Sequence, residues 1–166
     1  IFILLKFINL RTFDSFNLSL TLISSGGFLS VNNLNTLFQS DISKIVLSIL
    51  MLTSYFSLFL IYNLFFFKKE NLNYLSEDFY LLIYLLIIIS IGFIFFNYDN
   101  NFLSILISIT SSVSNIGISL DNISSNLTFV FLILVIIGGS FLSTSSGLRL
   151  IKVLSLIKFS LNNLLS

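Results

Sequence analysis

Two glycine-bearing breaks, ninety positions apart, constrain this chain more than any other feature. They read Ser24-Ser25-Gly26-Gly27-Phe28 and Ser114-Asn115-Ile116-Gly117-Ile118. Each follows a short, weakly amphipathic stretch and precedes a long apolar run. A glycine lets the backbone take dihedrals barred to other residues and bring its carbonyl oxygens close to a ligand. In an apolar medium such carbonyls survive only when buried in protein or lining a cavity. Where they do, a ring of them replaces the hydration shell of a cation. The rest of the chain reads as support for two such loops.

The runs around the breaks set the expected class. Hydrophobic residues make up 56% of the chain, mean hydropathy is +1.05, and 9% of residues are charged, where soluble domains carry about a quarter. An all-α polytopic membrane protein is the expectation. The net charge of +1 comes without a basic patch interleaved with aromatics, so no nucleic-acid partner is expected. No cysteine or histidine is present. Disulfides, thiolate metal sites and the commonest general base are thereby excluded, and catalysis is not expected. Ile1 opens inside an apolar run with no charged leader or small-residue cleavage site, which reads as a piece of a longer protein without a signal peptide.

Taken in order, residues 1–10 are apolar around Lys6 and read as the end of a truncated helix. Asp14 is expected to cap a helix over 15–23, its carboxylate accepting from the first free N–H groups. Residues 30–40 read as an aqueous loop. From 45 to 67 no charge interrupts, long enough to span, and Lys68-Lys69-Glu70 closes the run. Residues 71–78 form a hydrophilic connection and 79–97 a second span. After the turn Tyr98-Asp99-Asn100-Asn101, residues 102–113 repeat the pattern of 13–23, ending at the second break. A third run, 127–137, fails early at Gly138-Gly139-Ser140. Residues 148–165 resume as a helix bearing Arg149, Lys152 and Lys158. The unit of span, short helix, glycine loop and span thus occurs once with its first span truncated and once in full. The expected divisions are 1–70, a cytoplasmic connection at 71–78, and 79–166. Lys68, Lys69, Arg149, Lys152 and Lys158 on one side, with Asp14, Asp41, Asp99 and Asp121 on the other, put both loops on the outer face, Arg11 and Lys44 standing against the pattern.

These residues resemble the Trk/Ktr/HKT superfamily of potassium uptake proteins. The family is built from four non-identical repeats of outer helix, pore helix, filter loop and inner helix, folded like a potassium channel. Ser24-Ser25-Gly26-Gly27-Phe28 is similar to its second filter, written like Ser-Thr-Gly-Gly-Phe. Asn115-Ile116-Gly117-Ile118 keeps the glycine of the third filter but not its aromatic. Gly138-Gly139-Ser140 with Ser143-Thr144-Ser145-Ser146-Gly147-Leu148-Arg149 resembles the segment that interrupts the third inner helix and gates the pore. Ser145 and Ser146 replace expected glycines there, and Leu142 stands where another would be.

The resemblance covers nearly the whole chain but two of four repeats. It implies potassium uptake past a backbone-carbonyl filter in a bacterial cytoplasmic (inner) membrane, by a multi-pass pore subunit. Ser25, Gly26, Gly27 and Phe28, with Asn115, Ile116, Gly117 and Ile118, would be the filter. Gly138, Gly139, Ser140, Ser143, Thr144, Ser145, Ser146 and Gly147 would be the gate loop. Potassium would be the transported ion, with no cofactor and no other metal. Membrane lipid, a homodimer and a cytoplasmic nucleotide-binding regulatory subunit are the implied partners.

Plainer readings stand beside these. Gly138-Gly139 suits a helix-packing point, although the Ser-Thr-rich stretch after it argues for a real break. Arg149 and Lys152, three apart on one helical face, read as topology signals rather than pore lining. A respiratory or enzyme subunit would need ionisable residues inside the long runs, and 45–67 and 79–98 have none. A non-conducting fragment is the other alternative, kept open by the serines after 141.

Overall fold

The computed structural model describes residues 1–31, 34–58, 62, 72–95, 102–120, 125–140 and 142–165. Lys68-Lys69-Glu70, the turn at 98–101 and Asp121 lie outside the described residues. The described elements are helices α1 (Phe2–Phe7), α2 (Thr12–Ser24), α3 (Asp41–Leu52), α4 (Leu72–Phe95), α5 (Phe102–Val113), α6 (Ser125–Ile136) and α7 (Leu150–Leu165). A 3-10 turn at Leu34–Thr36 follows α2. Strands β1 (Ile137–Gly138) and β2 (Leu148–Arg149) pair in parallel between α6 and α7, Ile137 opposite Leu148 and Gly138 opposite Arg149.

Helix α5 is the centre. It packs on α3, α4 and α6, and nearly every residue from Ser104 to Val113 is buried. Its Ile107 joins a cluster with Leu18, Leu22, Leu47 and Met51. Ile105, Ile109 and Val113 join a second cluster with Tyr55, Leu81, Leu85 and Phe131. A helix buried on all sides would normally carry no serines. Here the hydroxyls of Ser108 and Ser112 donate to the carbonyls four residues back, at 2.8 and 2.7 Å. That local bond satisfies them inside the core.

The polytopic membrane fold expected from composition does not hold. Among the described residues no helix is long and apolar enough to cross a membrane. The multi-pass placement in a bacterial cytoplasmic membrane, the orientation drawn from the charges and the description as a transmembrane ion transporter rested on those spans, and are corrected with them. The reasons are local. Within the charge-free run 45–67, helix α3 ends at Leu52 and Leu58 and Tyr62 are helical again, while residues 59–61 and 63–67 lie outside the described residues. Thr53 and Ser54 turn their hydroxyls onto Leu50 O and Met51 O at 2.7 and 2.8 Å. The next backbone groups then pair with a distant segment: Ser145 N–H donates to Ser54 O, Ser140 N–H to Tyr55 O, and Leu58 N–H to Leu142 O. Helix α6 is 12 residues long.

Much of the apolar excess lies on outer faces instead, with Phe7, Phe28 and Leu164 each 80% exposed. Hydropathy summed along the chain counts such surface together with core.

Candidate cation site

The two glycine breaks fold alike in backbone course, with one bracing bond reversed. Helices α2 and α5 each end in a left-handed residue, Ser25 at φ 52° and Asn115 at φ 59°. The next amide in each loop reaches back five residues, Gly26 N–H to Thr21 O at 3.1 Å and Ile116 N–H to Ser111 O at 3.0 Å. A glycine with positive φ follows, Gly27 at 71° and Gly117 at 77°. The same helix position then braces the loop from within. Thr21 Oγ1 donates to Phe28 O at 2.6 Å, and Ser111 Oγ accepts from Ile118 N–H at 2.6 Å. This is a helix C-cap closed by a bond from beyond the left-handed residue, with a hydroxyl holding the strand-like exit. Two sequences that share few identities adopt it because both supply a hydroxyl, a tolerant left-handed residue and a glycine at matching positions.

The loops also touch. A Cβ on Gly27 would lie 2.5 Å from Ile116 O, so only glycine lets these two backbones meet. Past them, Asn35 Nδ2 donates to Leu120 O at 3.2 Å, tying the two exits together. Gly117 has open space where its own Cβ would be. The sequence-predicted residues are therefore placed as follows. Ser25, Gly27 and Asn115 are half-buried and Ile116 and Ile118 buried, all beside the contact, whereas Gly26, Gly117 and Phe28 are exposed.

The segment from Gly138 to Arg149 is a compact loop clamped by serines. A Cβ on Gly138 would collide with the Ser146 carbonyl oxygen, and one on Gly139 with Tyr55 O. Ser145 Oγ accepts from Gly139 N–H at 2.8 Å and lies 3.0 Å from Ser143 Oγ. Ser140 and Ser145 are buried; Thr144, Ser146 and Gly147 are exposed, Gly147 with φ 92°. One bond joins this loop to the second glycine break: Asn115 Nδ2 donates to Ser146 O at 2.8 Å.

Three charged residues play parts that differ from those expected. Asp14 does not cap α2, whose N-cap is Arg11 without a side-chain bond. Its carboxylate, 6% exposed, instead accepts from Ser30 Oγ at 2.6 Å and ties the start of α2 to the exit of the first loop. Arg149 is no mere topology signal: Nη1 donates to Ser143 Oγ and Ser145 O, both at 2.9 Å, and closes the 138–149 loop. A basic residue placed just after a run of loop carbonyls was the available clue. Asp78, read as part of a hydrophilic connection, is 2% exposed in α4 and accepts from Ser57 N–H at 3.1 Å and Ser57 Oγ at 2.6 Å. It pins α4 to the turn after α3.

Beside it, the Tyr55 hydroxyl is buried without a partner. Burial first, then Tyr84 and Asp78 close by, push this phenol far above the ordinary tyrosine range. The unfolded chain ionises it near pH 10, while the folded chain keeps it neutral. Stability from this group is complete below pH ~10 and falls as pH rises above it. Tyr55→Phe is expected to leave stability at pH 7 unchanged or raised by up to ~1 kcal/mol, since an unsatisfied hydroxyl is removed, and to flatten the alkaline decline. Thermal melts from pH 7 to 11 test both. A clear loss of stability at pH 7 would show that the hydroxyl has a partner.

Among the described residues no group of three or more acidic, histidine or cysteine side chains is placed to hold a metal ion. What the two loops offer is neutral oxygen, the ligand type of weakly hydrated monovalent cations rather than of zinc or other transition metals. No family model matches the chain, and no curated protein or solved structure is detectably similar to it.

Proposed function

We propose that the paired glycine loops coordinate a dehydrated monovalent cation of the potassium class through backbone carbonyls, as two quarters of a larger ring. The observation that carries this reading is the backbone contact of two loops of similar backbone course, Gly27 against Ile116 O. Repeated, mutually touching loops are what a ring of carbonyls requires. The resemblance to the Trk/Ktr/HKT proteins supports potassium as the ion. It extends the proposal to a homodimer served by a nucleotide-binding regulatory subunit. On this reading the 138–149 loop, which Asn115 joins to the second break, is the gating element, a role supported by that bond and by the resemblance alone. No path across a membrane is drawn from the described helices.

The test is ion binding by the full-length protein. Rubidium and potassium at millimolar concentration are expected to raise the melting temperature and lithium to leave it unchanged, because a carbonyl ring matched to the larger ions replaces their hydration shell. Gly27→Ala is expected to abolish the difference. Equal response to all three ions in the parent protein would refute the reading.

A further inference from the structure

Two buried side-chain oxygens at the glycine breaks have no hydrogen-bond partner: Ser25 Oγ and Asn115 Oδ1. They sit at equivalent positions, each on the left-handed residue that ends its helix. Asn115 is the chain neighbour of Ile116, and only Gly26 separates Ser25 from Gly27, so both flank the point where the loops touch. A buried acceptor left unmade costs free energy, and such atoms in a native fold are accounted for by strain, water or a bound ion. That both loops leave the same position unsatisfied, while bracing their hydroxyls at Thr21 and Ser111, argues against chance. For Asn115 the orientation is set: Nδ2 is engaged by Ser146 O at 2.8 Å, which leaves Oδ1 as the free end.

We propose that Ser25 Oγ and Asn115 Oδ1 are cation ligands, adding side-chain oxygens to the carbonyls of the same site. Asn115 is then held by the 138–149 loop on one side and by the ion on the other. The proposal rests on the cation-binding reading above and specifies which side chains serve it. It departs from the sequence expectation, in which selectivity came from carbonyls alone.

The experiment measures rubidium affinity of the full-length protein by titration of its melting temperature, for the parent, Ser25→Ala, Ser25→Thr, Asn115→Leu and Gly27→Ala. Ser25→Ala and Asn115→Leu are expected to weaken rubidium roughly tenfold each, while Ser25→Thr, which keeps the hydroxyl, binds as the parent does. Without rubidium, Ser25→Ala is expected to melt no lower than the parent, because it removes an unsatisfied atom; a purely structural serine would melt lower. Circular dichroism confirms that each variant folds. If the parent and both side-chain variants bind rubidium alike while Gly27→Ala does not, the carbonyl site stands and this proposal falls, the two oxygens then being water-filled. If the parent shows no rubidium response, the cation-binding reading falls and takes this one with it.

Discussion

Gly27→Ala is expected to drive the two glycine loops apart, and Gly117→Ala to leave them together. The sequence treats the two glycines as equals, and their backbones agree, at φ 71° and 77°. Alanine in either place carries the left-handed strain of an L-residue, about 1–2 kcal/mol. The difference is what the new methyl meets. At Gly27 it would lie 2.5 Å from Ile116 O, a backbone atom. Ile116 is 3% exposed, its N–H is bonded to Ser111 O, and the Ile118 N–H beyond it to Ser111 Oγ. That carbonyl has nowhere to retreat. The added clash brings the expected cost of Gly27→Ala to about 3 kcal/mol. Gly117→Ala meets open space and costs the strain alone. Urea unfolding of the two variants decides the matter; equal destabilisation would mean that the loops do not touch.

Gly139→Ala is the second large effect. Its Cβ would press on Tyr55 O, with Ser145 Oγ at 2.6 Å and Ser143 Oγ at 2.9 Å. The hydroxyls can rotate away, but the carbonyl cannot, because it accepts from Ser140 N–H at 3.1 Å. The methyl therefore undocks the 138–149 loop from the turn at Ser54 and Tyr55. The expected cost is about 3 kcal/mol. The amide protons of Ser140 and Ser145, which bond to Tyr55 O and Ser54 O, should lose their protection from exchange. Gly26→Ala is the control. Its φ is ordinary and its nearest neighbour is the flexible end of Ser24 at 3.0 Å, so the cost should stay near ~0.5 kcal/mol. Unchanged protection of Ser140 in Gly139→Ala would place the loop elsewhere.

A good part of this architecture was readable from residue order. The helix over 102–113 and the glycine breaks after it and after Ser24 follow from short apolar runs ended by Ser, Asn and Gly. These are local preferences, and the left-handed residues at Ser25 and Asn115 each fall two positions before a glycine of positive φ. The repetition of the two glycine breaks was equally legible, because it needs only a comparison of the chain with itself. What residue order could not determine was where a helix gives up its own hydrogen bonds for those of a partner. The run 45–67 carries no charge or proline to stop it. Helix α3 nevertheless ends at Leu52, where Ser54 O, Tyr55 O and Leu58 N–H bond to residues more than eighty positions away. Asp14, Asp78 and Arg149 each looked like a cap, a linker charge or a topology signal, and each instead closes a contact between segments. Spacing along the chain determines which backbone conformations are cheap. Which of them are used depends on donors and acceptors that meet only once the chain has packed, and here that packing ended α3 at Leu52 and brought Gly27 to Ile116.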